Sequence, residues 1–271
     1  MPITSAIPAI YALMESTCLM TKTIDVYPLP SLVDELPDSG VCVAIDVLRA
    51  TTTITTALAN GALRVLPFET VEETFAAKRA ILAARPEEEG KILLGGERGG
   101  LPIDGFDLGN SPDLYAREEI EGKTLLFTTT NGTKAILRAR GKRLLASFLN
   151  VDAVVKRILD ADFDSVSIIC AGTNGQYTQE DLLLAGCLVD KLTLSREGYA
   201  LNVQAEVSRE DWRTNRSRPL AELLRESTGG QNLSRLKLGK DIIDAARMNA
   251  LDVVAEYRLG EIRLDSSDWK N

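Results

Sequence analysis

The chain has 271 residues, of which 45% are apolar, 26% charged and 5% aromatic; it can bury a sizeable core of Leu, Ile, Val and Ala, and nothing in its composition reads as disordered. Its 39 acidic against 31 basic side chains give a net charge of -8, which disfavours a nucleic-acid or anionic-membrane surface. Histidine is absent, which excludes Ser-His-Asp and Cys-His machinery and His-ligated zinc or iron, and leaves carboxylates, thiols, hydroxyls, Lys, Arg and oxygen-bound metals for chemistry.

Residues 1–20 have an apolar middle but no basic start, so they do not read as a signal peptide; with Met14 and Met20 among them, a disordered or overlong extension is expected. Cys18, Cys42, Cys170 and Cys187 show no CxxC spacing and mostly sit in apolar runs, as buried reduced thiols of a cytoplasmic protein do. No apolar run approaches the roughly 20 residues of a membrane span.

"VCVAI" at 41–45 predicts a strand buried on both faces, followed by a helix from about Thr52 that Gly61 ends. "RVLPF" at 64–68 is a strand, and Thr70 opens a helix with Thr-x-x-Glu capping spacing. "KILLGGE" is a strand running into residues 97–112, a Gly- and Pro-rich irregular stretch of the length that is more often functional than not. "KTLLFTT" feeds the helix of "TNGTKAILRARG", and "KRLLASF" is the next strand. Asn150 is positioned to cap a helix over "NVDAVVKRILDA". "SVSIICAG" leads through "TNGQYTQ" into "EDLLLAGCLVDKL", and a more helical region over 197–239 precedes a closing hairpin in "LDVVAEYRLGEIRLD". A weak echo spaced by 80 residues, Thr53 to Gly61 against Thr133 to Gly141, predicts two comparable strand-end loops.

This grammar gives an α/β fold, expected as a three-layer α/β/α architecture with a mixed, largely parallel sheet. Residues 21–271 are read as a single unit, with two lobes flanking the site as the alternative arrangement.

Ligands of open α/β sheets settle at the carboxyl ends of strands, and three such ends are polar here: Asp46 to Thr53, Thr128 to Thr133, and Gly172 to Asp181. Taken alone, Thr51, Thr52 and Thr53 are helix caps, as are Asn131 with Thr133 and Thr178 with Asp181. Three helix N-termini on one edge would also hold an oxyanion. Asp46 and Arg49 read either as an ion pair or as a metal ligand beside an anion clamp, and Glu97-Arg98 repeats the two chemical types. Asp107, Asn110 and Ser111 add oxygens nearby.

Familiar signatures fail. A tyrosine-phosphatase loop needs Arg where Gln176 follows Cys170, and an aspartyl-phosphate hydrolase needs a second Asp where Leu48 stands. Neither a Walker loop nor a dinucleotide fingerprint is present.

"IDVLRATTTI", "GGERGGLPIDGFDLGNSP", "TTTNGTKA" and "CAGTNGQYTQEDLLLAG", in that order, resemble the 2-phosphosulfolactate phosphatase family from about Thr23 to at least Leu192, and more thinly through "GGQNLSRLKLGKDI". Ala245 and Ala255 depart from the family pattern, which has a cysteine and a proline there. The resemblance implies a Mg2+-dependent hydrolase of phosphoric monoesters acting on a phosphorylated 2-hydroxy acid. The namesake reaction converts (R)-2-phospho-3-sulfolactate and water to 3-sulfolactate and phosphate in coenzyme M biosynthesis. The family pattern covers Asp46, Arg49, Thr51 to Thr53, Glu97, Arg98, Asp107, Asn110, Ser111, Asn131, Gly132, Thr133, Glu180 and Asp181.

The expected assignment makes Asp46, Glu180 and Asp181 metal ligands, Glu97 or Asp107 a base or supporting ligand, and Arg49 and Arg98 anion clamps. Thr51, Thr52, Thr53, Asn110, Ser111, Asn131, Gly132 and Thr133 are expected to bind the phosphate or substrate. A covalent route through Asp46 or Cys170 is less favoured. A non-catalytic binding module for small anions and a phosphotransferase are the competing readings, and a homo-oligomer is left open.

Overall fold

A computed structural model describes residues 22–33, 40–139 and 141–265. The expectation for residues 1–20 lies outside them. The strands are β1 (Thr23–Tyr27), β2 (Val41–Ile45), β3 (Arg64–Phe68), β4 (Ile92–Gly96), β5 (Thr124–Thr128), β6 (Lys142–Ala146), β7 (Ser165–Cys170), β8 (Ala200–Leu201), β9 (Ala255–Arg258) and β10 (Glu261–Leu264). The α-helices are α1 (Ala50–Ala59), α2 (Val71–Ala84), α3 (Arg117–Ile120), α4 (Gly132–Arg138), α5 (Val151–Ala161), α6 (Gln179–Ser195), α7 (Val203–Asn215), α8 (Leu220–Glu226), α9 (Thr228–Arg235) and α10 (Gly239–Ala245). None of these helices is long and apolar enough to cross a membrane.

All ten strands form one sheet in the order β4-β5-β3-β10-β9-β6-β2-β7-β1-β8. Strands β4, β5 and β3 are mutually parallel, as are β6, β2, β7, β1 and β8. The β9–β10 hairpin joins the two groups by antiparallel pairing on both sides, so the groups run in opposite directions. Helix α1 leaves β2 in one group and leads into β3 in the other, while α4 makes the return crossing from β5 to β6. This reciprocal crossover accounts for the echo between the two helix segments.

The layers follow from which faces are apolar. Val43, Ile45, Ile168 and Val166 are buried against α5 and α6 residues such as Val154, Ile158, Leu184 and Leu188. On the other face Val65, Leu125 and Phe127 pack with Ile54 and Leu58 of α1 and Ile136 of α4. A satellite of Ile92, Leu94 and Leu126 lies under Phe75 and Ile81 of α2. The structure is therefore three-layered, with a mixed and largely parallel sheet.

Local signals hold in part. Thr70 and Glu73 form the reciprocal capping box that their spacing predicts. Helix α1 starts at Ala50, two residues before the expected Thr52. Asn150 does occupy the N-cap position of α5, yet its side chain caps nothing there. Its Oδ1 accepts from Ser147 N–H at 2.9 Å, and its Nδ2 donates to the carbonyls of Leu145 and Val253, tying β6 to the segment before the hairpin.

Candidate active site

Asp46 follows the buried strand β2 and turns the chain into α1. Its Oδ1 accepts from Ala50 N–H at 3.2 Å, so the carboxylate helps to satisfy the open end of the helix. Thr51 Oγ1 donates to the Asp46 carbonyl at 2.9 Å and accepts from Asp46 N–H. Thr52 Oγ1 donates to the Val47 carbonyl and Thr53 Oγ1 to the Asn110 carbonyl. The three threonines are fully buried, with hydroxyls engaged by the backbone, and none lines the cleft described next. They hold the turn that aims Asp46.

That cleft has a volume of about 350 Å³. Asp46, Leu48 and Arg49 line it from the β2–α1 turn, and Glu97, Gly99 and Gly100 from the loop after β4. Asn110 comes from the same long loop, Thr130 and Asn131 from the end of β5, and Gly172 to Asn174 from the end of β7. Gly229, Asn232, Leu233, Arg235 and Leu236 close it from α9 and the residue after it.

Glu97 is held rigidly. Its Oε1 accepts from Thr130 N–H at 2.7 Å, and its Oε2 accepts from Gly100 N–H at 2.6 Å and from Thr130 Oγ1. Gly96 lets the loop leave β4 so close to β5: its φ is +134°, and a Cβ there would lie 1.9 Å from the Thr128 carbonyl oxygen. Gly132 has a similar role, because a Cβ at that position would lie 2.4 Å from Asp46 Oδ2. The first turn of α4 thus fits against the Asp46 carboxylate only as glycine.

Arg49 is buried and does not pair with Asp46. Its Nη1 donates to Asp241 Oδ2 at 2.7 Å and to Ser111 Oγ, and its Nη2 donates to the Gly100 carbonyl. Ser111 Oγ donates to the same Asp241 oxygen at 2.8 Å. Arg98 is turned elsewhere: its guanidinium donates to the Glu97 and Glu69 carbonyls and to Thr128 Oγ1. Asp107 also stands apart, accepting from Leu94 N–H and Lys78 Nζ. Thr133 is buried in a reciprocal contact with Thr129, while Asn131 Oδ1 accepts from Asn174 N–H.

Behind the cleft, Asp181 ties two strand ends together: its Oδ1 accepts from Val47 N–H at 2.9 Å and its Oδ2 from Gly172 N–H at 3.0 Å. The Thr178–Asp181 capping box is accordingly not formed. Glu180 is wedged beneath Gly229, where a Cβ would meet its Oε1 at 2.1 Å, and its Oε2 is buried without a partner. Burial, with Glu97 and Glu180 nearby, pushes the Asp46 carboxyl up to about 7, against the opposing pull of Ala50 N–H and Arg49. Burial raises Asp181 as well, helped by Asp46 and Glu180, and burial raises Glu180. The Cys170 thiol is fully buried and is pushed well up by burial and by those carboxylates, so it has no nucleophile's character.

Among the described residues no three Cys, Asp or Glu side chains converge as a ready-made metal cage, so Asp46, Glu180 and Asp181 are not gathered as one. The donor set does fit magnesium, which keeps several waters and takes one or two carboxylates plus substrate phosphate. Asp46 and Glu97 both face the cleft, and Asn110 Oδ1 is a buried oxygen on its wall without a donor.

The sequence reading missed Asp241, Asn232 and Arg235, which lie in the segment where the family pattern is thinnest. Their only sequence signal was that they fall within "GGQNLSRLKLGKDI".

Comparison with known proteins identifies the family of the chain. The family model described as 2-phosphosulpholactate phosphatase matches residues 27–260. A protein of Symbiobacterium thermophilum named probable 2-phosphosulfolactate phosphatase is 41% identical over 226 residues, 83% of this chain and 94% of its own length. One of the same name from Carboxydothermus hydrogenoformans is 41% identical over 243 residues, 89% and 95% of the two chains. Another from Pseudothermotoga lettingae is 39% identical over 239 residues, 86% and 95%.

Proposed function

The chain belongs to the 2-phosphosulfolactate phosphatase family, and from that membership we propose that it is a magnesium-dependent phosphatase of the cytoplasm. It hydrolyses the phosphate ester of a 2-hydroxy acid, with (R)-2-phospho-3-sulfolactate as the first substrate to test and coenzyme M biosynthesis as its setting. The observation that carries this reading is the meeting in one cleft of Asp46 and Arg49, from the turn after β2, with Glu97, from the loop after β4.

Asp46 and Glu97 would hold the cation, which when bound supplies charge neutralisation at the phosphoryl oxygens. Glu97 cannot swing, because both its oxygens already accept from backbone N–H groups. Arg49, fixed through Asp241, gives the phosphate a positive wall that needs no reorganisation. Asn110, Thr130 and Asn131 line the same wall and orient the ester. Asp181 stands behind Asp46 and fixes the spacing of the β2 and β7 loops. The products are the free 2-hydroxy acid and inorganic phosphate.

The deciding experiment is a phosphate-release screen of 2-phospho-2-hydroxy acids, phosphosulfolactate and phospholactate among them, with and without Mg2+. Selective, Mg2+-dependent release is expected. Folded protein that releases no phosphate from any of them would favour the binding-module reading, and transfer to an added alcohol would favour the phosphotransferase.

A further inference from the structure

Among the described residues two arginines line the cleft, Arg49 and Arg235. Arg49 is ion-paired to buried Asp241. Arg235, the last residue of α9, is exposed and has no carboxylate partner among the described residues. Its Nη2 donates to Asn232 Oδ1, three residues earlier on the same helix face. This cation is therefore uncompensated, facing a cleft that otherwise carries Asp46 and Glu97.

The placement of Arg235 is built in. Ser227 caps α9 by accepting from Gly230 N–H, and Gly230 lies against the Leu224 carbonyl, where a Cβ would come within 1.8 Å. At the other end Leu236 packs on Gly100, whose own Cβ would lie 2.6 Å from Leu236 Cδ1. Gly100 is also the residue whose carbonyl accepts from Arg49. Gly100 thus touches both the buried guanidinium and the residue that follows the exposed one.

A phosphosulfolactate-type ester carries three acids. Its carboxylate shares a carbon with the phosphate ester and so stays near the wall that holds the phosphate. The sulfonate on the next carbon reaches furthest, toward the rim. In a chain of net charge -8 a remote anion needs a local cation. We infer that Arg235, steadied by Asn232, is the specificity-determining residue that receives the acid group on C3 of the substrate. This inference rests on the phosphatase reading above.

The test is steady-state kinetics of Arg235→Gln and Arg235→Lys on 2-phosphosulfolactate and on 2-phospholactate, which has a hydrogen where the former carries its sulfonate. The Gln variant should raise KM for phosphosulfolactate about 10- to 100-fold, the scale of one lost charged hydrogen-bond set, with kcat near that of the parent. KM for phospholactate should move less than about threefold, and Lys should restore part of the loss. Calorimetric binding of 3-sulfolactate against lactate should give the same contrast without turnover. Equal changes for both esters, or none for either, would overturn the role of Arg235. A parent protein that binds 3-sulfolactate yet releases no phosphate from either ester removes the phosphatase reading alone, and Arg235 is then judged on binding. Phosphate release from phospholactate without any binding of 3-sulfolactate removes the role of Arg235 and keeps the phosphatase.

Discussion

Arg49 and Asp241, 192 residues apart, meet at 2.7 Å with both side chains buried, and through them the turn that carries Asp46 is locked to α10 near the end of the chain. Ser111 and the Gly100 carbonyl complete the set around the guanidinium. Removing one partner leaves an uncompensated buried charge, which costs about 3–5 kcal/mol. Asp241→Ala should therefore lower stability by that amount, measured as the urea midpoint at constant slope. A change below about 1 kcal/mol would show that the pair is not a tether.

Gly132 couples the position of the Asp46 carboxylate to the packing of α4 on α1. Alanine at a helical position is favoured over glycine by about 1 kcal/mol in general. Here its Cβ would lie 2.4 Å from both Asp46 Oδ2 and the Ala50 Cβ. Gly132→Ala should thus displace the Asp46 carboxylate and lower kcat about 100-fold, the scale of an ångström's misplacement at a reacting centre. The clash with the buried Ala50 Cβ, fixed to its helix, should also lower stability by about 1–3 kcal/mol. Parental turnover in this variant would mean that the Asp46 position is not critical.

The α/β class and the strand order along the chain were legible because buried strands and amphipathic helices leave local patterns: "VCVAI" is β2 and the Thr70–Glu73 capping box forms. Interactions set by tertiary contact were not. Thr178 and Asp181 have capping-box spacing, yet Asp181 accepts from Val47 and Gly172 across the sheet. Arg49 stands three residues from Asp46 but finds its carboxylate on α10. Thr51, Thr52 and Thr53, helix caps when taken alone, were expected to bind phosphate from the three helix N-termini on one edge and the family pattern, whereas each hydroxyl donates to a carbonyl. Arg235 had no signal beyond its place in "GGQNLSRLKLGKDI", since a helix-end arginine is ordinary until the fold brings it to the cleft.

Cys170 offers a test of the covalent alternative. Its thiol is fully buried at the end of β7 and pushed well above its usual range, so it is neither accessible nor ionised near neutral pH. Cys170→Ala should keep kcat and KM within about twofold, at a stability cost of roughly 1–2 kcal/mol for the lost packing. Native protein should likewise resist inactivation by iodoacetamide. Loss of turnover with intact fold would restore the thiol as a nucleophile.

Asp46 makes the metal-free protein sensitive to pH, and the sign follows from its raised carboxyl. The folded state holds this proton up to about pH 7, whereas an unfolded aspartate releases it near 3.8. The stability that the protonated group contributes is complete below the unfolded value and is lost as pH rises through about 7. The difference in urea midpoint between the metal-free parent and Asp46→Asn should therefore fall from pH 5 to about pH 7 and level off above it. A difference independent of pH would show that Asp46 is already ionised at pH 5. The same proton competes with a cation for the carboxylate, so Mg2+ affinity should tighten as pH rises toward 7. Titration near pH 6 in buffers of different ionisation enthalpy should report proton release on binding, and Asp46→Asn should abolish that release. Magnesium binding without proton release at pH 6 would separate the cation from Asp46 and leave Glu97 as its carboxylate.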